Sequence, residues 1–450
     1  MTRATDLLLP PELRNRLRAG LTWSLVAALF SQGASFGVSL TLANALGREP
    51  FGRFTMIQST LATLAAICQL ANGLTATKFL AEHRSVDKKR AGEILGLTSA
   101  VSLVSGTLAA AALLCLAPWL AAHVLGSSDL VGPLMLSSLS VFFLVFNSYQ
   151  MGTLAGAEAY RSLAINAIVS GPGYLLLATG GARLLGLTGA VAGVLGYGLL
   201  QWLILYRFRQ EVLRREKIFV SLEGIRSQWP LVRSFVLPAA LSGLSSMPAL
   251  WIASVILARQ KGGFGELALY GAAMSLRLLI LFLPSLVYNV GVSLINNQRG
   301  LKNADSLRRL FWTSLSLTGG LGLAGSAVIV PFGRQILRMF GPSFAEGYPV
   351  LLILCGAAVL ESFAIGVYQL VQAEGRMWLS FRAIALPRDA TVVLAAWLLA
   401  PQHGAVGVAL AYLLGQTLAL AMTVLVTAVY CRLPGERAPA RGREVYAPHP

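Results

Sequence analysis

The sequence predicts an all-α polytopic membrane protein of about twelve transmembrane helices in two parallel six-helix repeats, and three observations carry that expectation. Hydrophobic residues make up 56% of the 450, whereas charged residues make up only 12%, about half the soluble norm. The apolar residues fall in runs of the ~20 needed to cross a bilayer. The second half of the chain also echoes the first. A soluble enzyme, a disordered chain and a disulfide scaffold are excluded by the first two observations, because the charged residues are too few to cover an ordinary water-facing surface.

Taken in order, the runs centre on residues 20–46, 54–80, 94–119, 131–156, 162–182 and 186–206, then 233–258, 267–295, 310–332, 348–371, 378–400 and 404–431. Within 162–206 and within 378–431 the runs are separated by only a few residues, so each pair is expected to fold as a tight helical hairpin. Before the first run, Met1 to Gly20 is polar and carries Arg3, Arg14, Arg16 and Arg18. No cleavable signal peptide is expected there. The domain organisation that follows is a cytoplasmic N-terminal segment (1–19), an N-lobe (20–206), a linker (207–232), a C-lobe (233–431) and a basic tail (432–450).

The net charge of +17 encodes topology rather than nucleic-acid binding, because the bases lie in connections between apolar runs. Of 36 Lys and Arg, 25 fall in the termini and one alternating set of connections, seven in the opposite set, and four within runs. By the positive-inside rule both termini and the 207–232 linker are expected in the cytoplasm. Cys68, Cys115, Cys355 and Cys431 show no paired spacing. They read as small core residues, with no metal or cofactor expected.

The repeat rests on GAVAGVLGYGLLQ at 189–201 and GAVGVALAYLLGQ at 404–416, seven identities in thirteen positions at an offset of 215. Phe51-Gly52 and Phe264-Gly265, Ala157-Glu158 and Ala373-Glu374, and Pro172 and Pro387 recur at nearly the same offset. Six spans per half place both halves in one orientation, as in transporters that bind substrate between lobes. Pro172 and Pro387 each fall inside a predicted span, where proline removes a backbone hydrogen bond and kinks the helix. As a symmetric pair they are candidate helix breaks beside a binding site, against the alternative that proline is simply common in membrane helices.

Six ionisable residues lie within spans: Lys78, Arg277, Glu361, Arg382, Arg388 and Asp389. Each costs at least ~2.5 kcal/mol at a helix centre, so lipid-facing placement is disfavoured. Arg277 and Glu361 are the most central. Arg277 reads as a cavity cation or as half of a buried pair, and Glu361 as an ion-coupling acid or as a structural partner for an arginine. Asp389 is a second candidate ion-coupling acid, or the local balance of Arg388. Arg382 and Asp389, seven residues apart, should share a helix face. Arg382 and Lys78 lie near the cytoplasmic side, where a long side chain can also snorkel to the interface. Four bases against two acids favour an anionic substrate such as a phosphate or diphosphate, with Arg277, Arg382, Arg388 and Lys78 as candidate substrate-binding groups.

The stretch LGREPFGRFTMIQSTLATLAAICQLANGLTATK from Leu46 to Lys78 resembles the first external turn and second helix of the lipid-linked oligosaccharide (O-antigen type) flippases. These belong to the multidrug/oligosaccharidyl-lipid/polysaccharide exporter superfamily. The resemblance rests on Leu46-Gly47, Glu49, Phe51-Gly52 and Gly73-Leu74, with Gly262-Gly263-Phe264-Gly265-Glu266 as a counterpart in the second half. It implies a V-shaped, two-lobe transporter of the bacterial inner membrane, not an enzyme. Its implied cargo is a polyprenyl-diphosphate-linked oligosaccharide, with protons or sodium as the coupling ion. A drug antiporter of the same superfamily is the alternative, although the first span, Leu21 to Leu46, lacks the acid such antiporters often use. A membrane polysaccharide polymerase is less well supported, because the four histidines are dispersed and no external loop is large enough for a catalytic domain.

Overall fold

The computed structural model describes residues 11–69, 72–223, 246–300, 304–374 and 377–430, and every regular element among them is helical. The first half comprises α1 (Pro11–Leu46), α2 (Arg48–Cys68), α3 (Asn72–His83), α4 (Lys88–Trp119), α5 (Val131–Gly156) and α6 (Tyr160–Glu216). The second comprises α7 (Ser246–Ala258), α8 (Gly263–Gly300), α9 (Ala304–Met339), α10 (Tyr348–Ala373), the short α11 (Met377–Ser380) and α12 (Leu386–Tyr430). A π turn, Phe381–Ala385, joins α11 to α12.

Among the described residues, eight helical stretches are long and apolar enough to span a membrane. The expected second span is instead divided between α2 and α3, which are inclined at 44° and meet the criterion only as a pair. The expected seventh span is described only over α7, since 233–245 lie outside the described residues. So do residues 224–232 of the linker and the tail 432–450. Helix α6 runs to Glu216, so the first ten residues of the 207–232 segment are helical.

Two of the eight stretches turn back on themselves. Helix α6 is interrupted at Leu185 and Gly186, and α12 at Gly404. Both glycines adopt positive φ, +60° and +53°, where a Cβ would be strained. The limbs on either side then pack almost without side chains between them. A Cβ at Gly189 would stand 1.9 Å from the Gly181 carbonyl oxygen, and one at Gly407 2.4 Å from that of Leu399. This is how membrane helices associate when apolar burial alone gives no preference for protein over lipid.

Three apolar clusters organise the interior. The largest joins both halves: Leu42, Phe51, Met56 and Leu61 belong to it together with Leu267, Leu276, Phe340 and Leu354. The other two are confined to one half each, around Leu80, Leu95, Tyr149 and Leu213 in the first and around Ile295, Phe311, Leu370 and Val426 in the second. Among the described residues, therefore, the two halves share a cluster toward the end that carries Arg48, and each has its own cluster toward the other. Along the fused side α2 lies against α7 and α8. A Cβ on Gly52 would lie 1.7 Å from the Phe264 carbonyl oxygen, so only glycine permits this approach. Arg48 clamps the same end: its Nε donates to the Gly265 carbonyl at 3.1 Å, and its two terminal nitrogens pair with Glu266 and Glu346.

Candidate functional site

The charged interior of the C-lobe is assembled by α8, α10 and α12. Arg277 lies fourteen residues into α8 and Glu361 thirteen into α10, each roughly 20 Å along its helix at 1.5 Å per residue. That depth is mid-membrane. The Arg277 Nη2 donates to Glu361 Oε2 and to the Tyr412 hydroxyl, and its guanidinium lies 4.5 Å from the Tyr412 ring centre. Tyr412 in turn donates to Glu361 Oε2 at 3.0 Å and accepts from Gln416 Nε2 at 2.7 Å. The Arg277 side chain is 8% exposed and that of Glu361 21%. The pair is thus approachable from the acid's side, while the Arg277 Nε stays buried without a hydrogen-bond partner.

The second pair is local. Arg388 Nε donates to Asp389 Oδ1 at 2.8 Å, and Arg388 also bonds the Ser246 hydroxyl on α7. Asp389 is buried with Oδ2 unpartnered. Arg388 packs beside Gly415, where a Cβ would lie 3.6 Å from Arg388 Cγ, next to the Gln416 that bonds Tyr412, so the two pairs form one polar neighbourhood. Both interior acids are therefore engaged by arginines.

Arg382 and Lys78 are not part of this cluster. Arg382 is exposed, 5.9 Å from the Trp378 ring centre. Simple helical spacing places it on the face of Asp389, yet Asp389 is buried. The π turn between them holds an extra residue and rotates the two side chains apart. Lys78 is exposed on α3 in the N-lobe, 5.0 Å from the Phe79 ring centre. Pro172 lies within α6, whose backbone departs from helical angles only at Leu185 and Gly186. Pro387 is the second residue after the π turn, where a widened turn accommodates the ring against the preceding carbonyls.

Tyr412 and Gln416, which complete the cluster, are both identities in the thirteen-residue internal match, although the sequence pattern alone marked them only as repeat positions. Their counterparts Tyr197 and Gln201 make the same bond, Gln201 Nε2 donating to the Tyr197 hydroxyl at 3.2 Å. The N-lobe version carries no charge. Tyr197 stacks on Tyr174 at 4.3 Å, Gln58 donates to the Tyr174 hydroxyl at 3.2 Å, and Asn147 on α5 donates to Gln201 at 3.2 Å. Uncharged amides and phenols among small residues give no sequence signal comparable to a buried arginine.

With this geometry in place, comparison with known proteins becomes informative. The model of the polysaccharide biosynthesis protein family matches residues 17–295. The chain belongs to this family. The matched segment holds the whole described N-lobe together with α7 and most of α8, including Arg277, and ends before Glu361 and Tyr412. A curated relative, the "Probable flippase AglR" of Haloferax volcanii, is 27% identical over 190 residues, which is 41% of this chain and 39% of that protein. The chain thus spans about two fifths of the length of the relative it matches. Among solved structures, an inward-facing multidrug resistance MATE family transporter of the MOP superfamily superposes with a TM-score of 0.72 at 16% identity, over 91% of this chain and 98% of that one. A MOP superfamily transporter from Pyrococcus furiosus, described as having a binding pocket of reversed polarity, gives 0.69 at 17% identity over 90% and 94%. At these identities the similarity shows that the chain shares the fold of those transporters.

Proposed function

We propose that the protein is a flippase that carries an anionic polyprenyl-diphosphate-linked oligosaccharide from the inner to the outer leaflet by alternating access. It serves cell-surface polysaccharide synthesis in a bacterial cytoplasmic membrane, with both termini inside. The observation that carries this reading is the Arg277–Glu361–Tyr412 cluster at mid-membrane, in lobes that share one apolar core toward the Arg48 end and keep separate cores at the other. Such an arrangement suits a rocking motion about the shared end. Arginine suits diphosphate oxygens because its planar fork donates two hydrogen bonds at once.

In the proposed cycle Glu361 is a resident anion that a phosphate oxygen replaces. Glu361 takes up and releases a proton as access alternates, which loosens and restores its hold on Arg277. Arg388 and Asp389 would act as a second exchange of the same kind one helix away. Family membership and the resemblance to the AglR relative support the cargo class. A drug antiporter of the same superfold is the competing reading, and the fold similarity to the multidrug transporters favours it. Against it, both interior acids are engaged by arginines and the first span has no acid, so among the described residues each interior carboxylate is already paired with a cation.

The test is polysaccharide export in cells that depend on this protein. Arg277→Ala is expected to abolish export even when export is normalised to the amount of protein in the membrane, and Arg277→Lys to restore part of it, because lysine keeps the charge without the fork. Normal export by Arg277→Ala would remove Arg277 from the transport path.

A further inference from the structure

The N-lobe contains a second cationic site that the transport cycle does not use. The last limb of α6 runs from Gly186 to Glu216, a length of roughly 45 Å. Because the hydrocarbon core is ~30 Å thick, the limb leaves it near Arg207, and residues beyond stand at headgroup level. There a cavity of about 650 Å³ opens between α4, α5, the end of α6 and residues 217–222. Its lining includes Arg209, Arg214 and Lys217 and no acidic residue. Arg209 is only 8% exposed, its Nε has no hydrogen-bond partner, and its guanidinium lies 5.4 Å and 5.3 Å from the ring centres of Tyr149 and Tyr206. No carboxylate pairs with it among the described residues.

The remaining wall is apolar and faces outward: Leu103 is half exposed, and Phe219 and Leu222 more so. The segment that carries Phe219 and Leu222 is fixed against α4, with Ser221 N–H donating to the Gly92 carbonyl at 3.2 Å and Ile218 buried. The wall is therefore part of the fold rather than a passing contact.

We propose that this cavity is a binding site for a resident anionic phospholipid. Its phosphate is held by Arg209 with Arg214 and Lys217 at the rim, and its acyl chain lies along Leu103, Phe219 and Leu222. Charge complementarity selects the headgroup, because a buried cation without a carboxylate is best satisfied by a phosphate. The apolar outward wall selects a lipid over a free anion. This site depends on the membrane placement alone and stands or falls independently of the flippase reading.

Native mass spectrometry of the intact protein, titrated with phosphatidylglycerol or with phosphatidylcholine of the same chains, tests it. One phosphatidylglycerol is expected to bind with at least ~10-fold preference over phosphatidylcholine, and Arg209→Gln is expected to lose that preference. Because a change at a buried arginine can impair folding, the double variant Arg214→Gln/Lys217→Gln, with both residues at the exposed rim, is expected to weaken binding ~10-fold. The control Arg215→Gln, which is outside the cavity, is expected to bind as the wild type does. Equal binding of the two lipids, unchanged binding by the rim variant, or an equal loss in Arg215→Gln would overturn the site. Displacement of phosphatidylglycerol by millimolar inorganic phosphate would assign it to a free anion and overturn the lipid assignment.

Discussion

At the scale of single residues, the Arg277–Glu361 pair is where stability and transport have to be separated. Removing one member of a largely buried pair strands the other charge, at about 3 kcal/mol. Glu361→Ala should accordingly lower the thermal stability of the purified protein, whereas the double variant Arg277→Met/Glu361→Met should recover most of it without recovering export. If the double variant exports normally, the pair is structural. Glu361→Gln keeps shape and hydrogen bonding to Tyr412 but cannot titrate. In reconstituted vesicles it should translocate lipid-linked sugar at a rate that no longer responds to an imposed pH gradient. A full response in that variant would leave Glu361 without the coupling role. The charged half of this site was legible in the sequence, because arginine and glutamate in an apolar run are costly and therefore conspicuous. Tyr412 was visible only as a repeat identity: a phenol carries no such cost, and its contact with Arg277 joins residues 135 positions apart.

At the scale of elements, the hairpins could be read from run length, because two spans separated by a few residues have no other way to reverse. Their register could not. The tyrosines of the two halves are 215 residues apart, but the turn glycines, Gly186 and Gly404, are 218 apart, so the N-lobe limb holds three more residues between turn and tyrosine. The sequence match reports the polar pair it preserves and is blind to a one-turn difference beside it. The division of the second span into α2 and α3, and the π turn after α11, were equally invisible, since neither alters mean hydropathy. The Phe51-Gly52 and Phe264-Gly265 motifs, which stood out as a repeated pair, prove to touch each other across the two lobes. Their contact carries a prediction. Gly52→Val places atoms where the Phe264 carbonyl now lies, so the lobes cannot close at this end without shifting α2 or α8. A cysteine at Thr55, which packs beside Gly271 on the same interface, should become more reactive to a water-soluble maleimide in the Gly52→Val background. Unchanged reactivity would show that α2 and α8 adjust locally and that Gly52 does not govern closure.

At the scale of the whole molecule, orientation decides what closure means. On the orientation that the charge distribution predicts, with the N-terminus and residues 207–232 in the cytoplasm, the Arg48 clamp, the Gly262–Glu266 turn and the Gly404 turn lie outside. On that orientation the structure, fused at the clamped end, is closed to the outside. Two labels test the orientation. In intact cells, an impermeant thiol reagent should modify a cysteine at the exposed Lys261 but not one at Lys217, and the opposite pattern would invert both the topology and the direction assigned to transport. The clamp then becomes a gate. Arg48 bonds Gly265 and pairs with two acids, Glu266 and Glu346, and Glu266 also accepts the Ala405 N–H at 2.9 Å. One N-lobe arginine therefore ties together three segments of the C-lobe. These partially exposed pairs are individually weak, about 0–1 kcal/mol each, but Arg48→Ala removes all of them at once. A total near 1–2 kcal/mol moves a two-state equilibrium roughly 5- to 30-fold. Arg48→Ala should therefore raise labelling of a cysteine at Thr55 from the outside by about that factor, while leaving labelling at Lys261 unchanged. If outside labelling at Thr55 stays at the wild-type level, the clamp does not hold the outer end shut and the closure must rest on the apolar contacts of Phe51 with Phe344 and of Phe36 with Phe340.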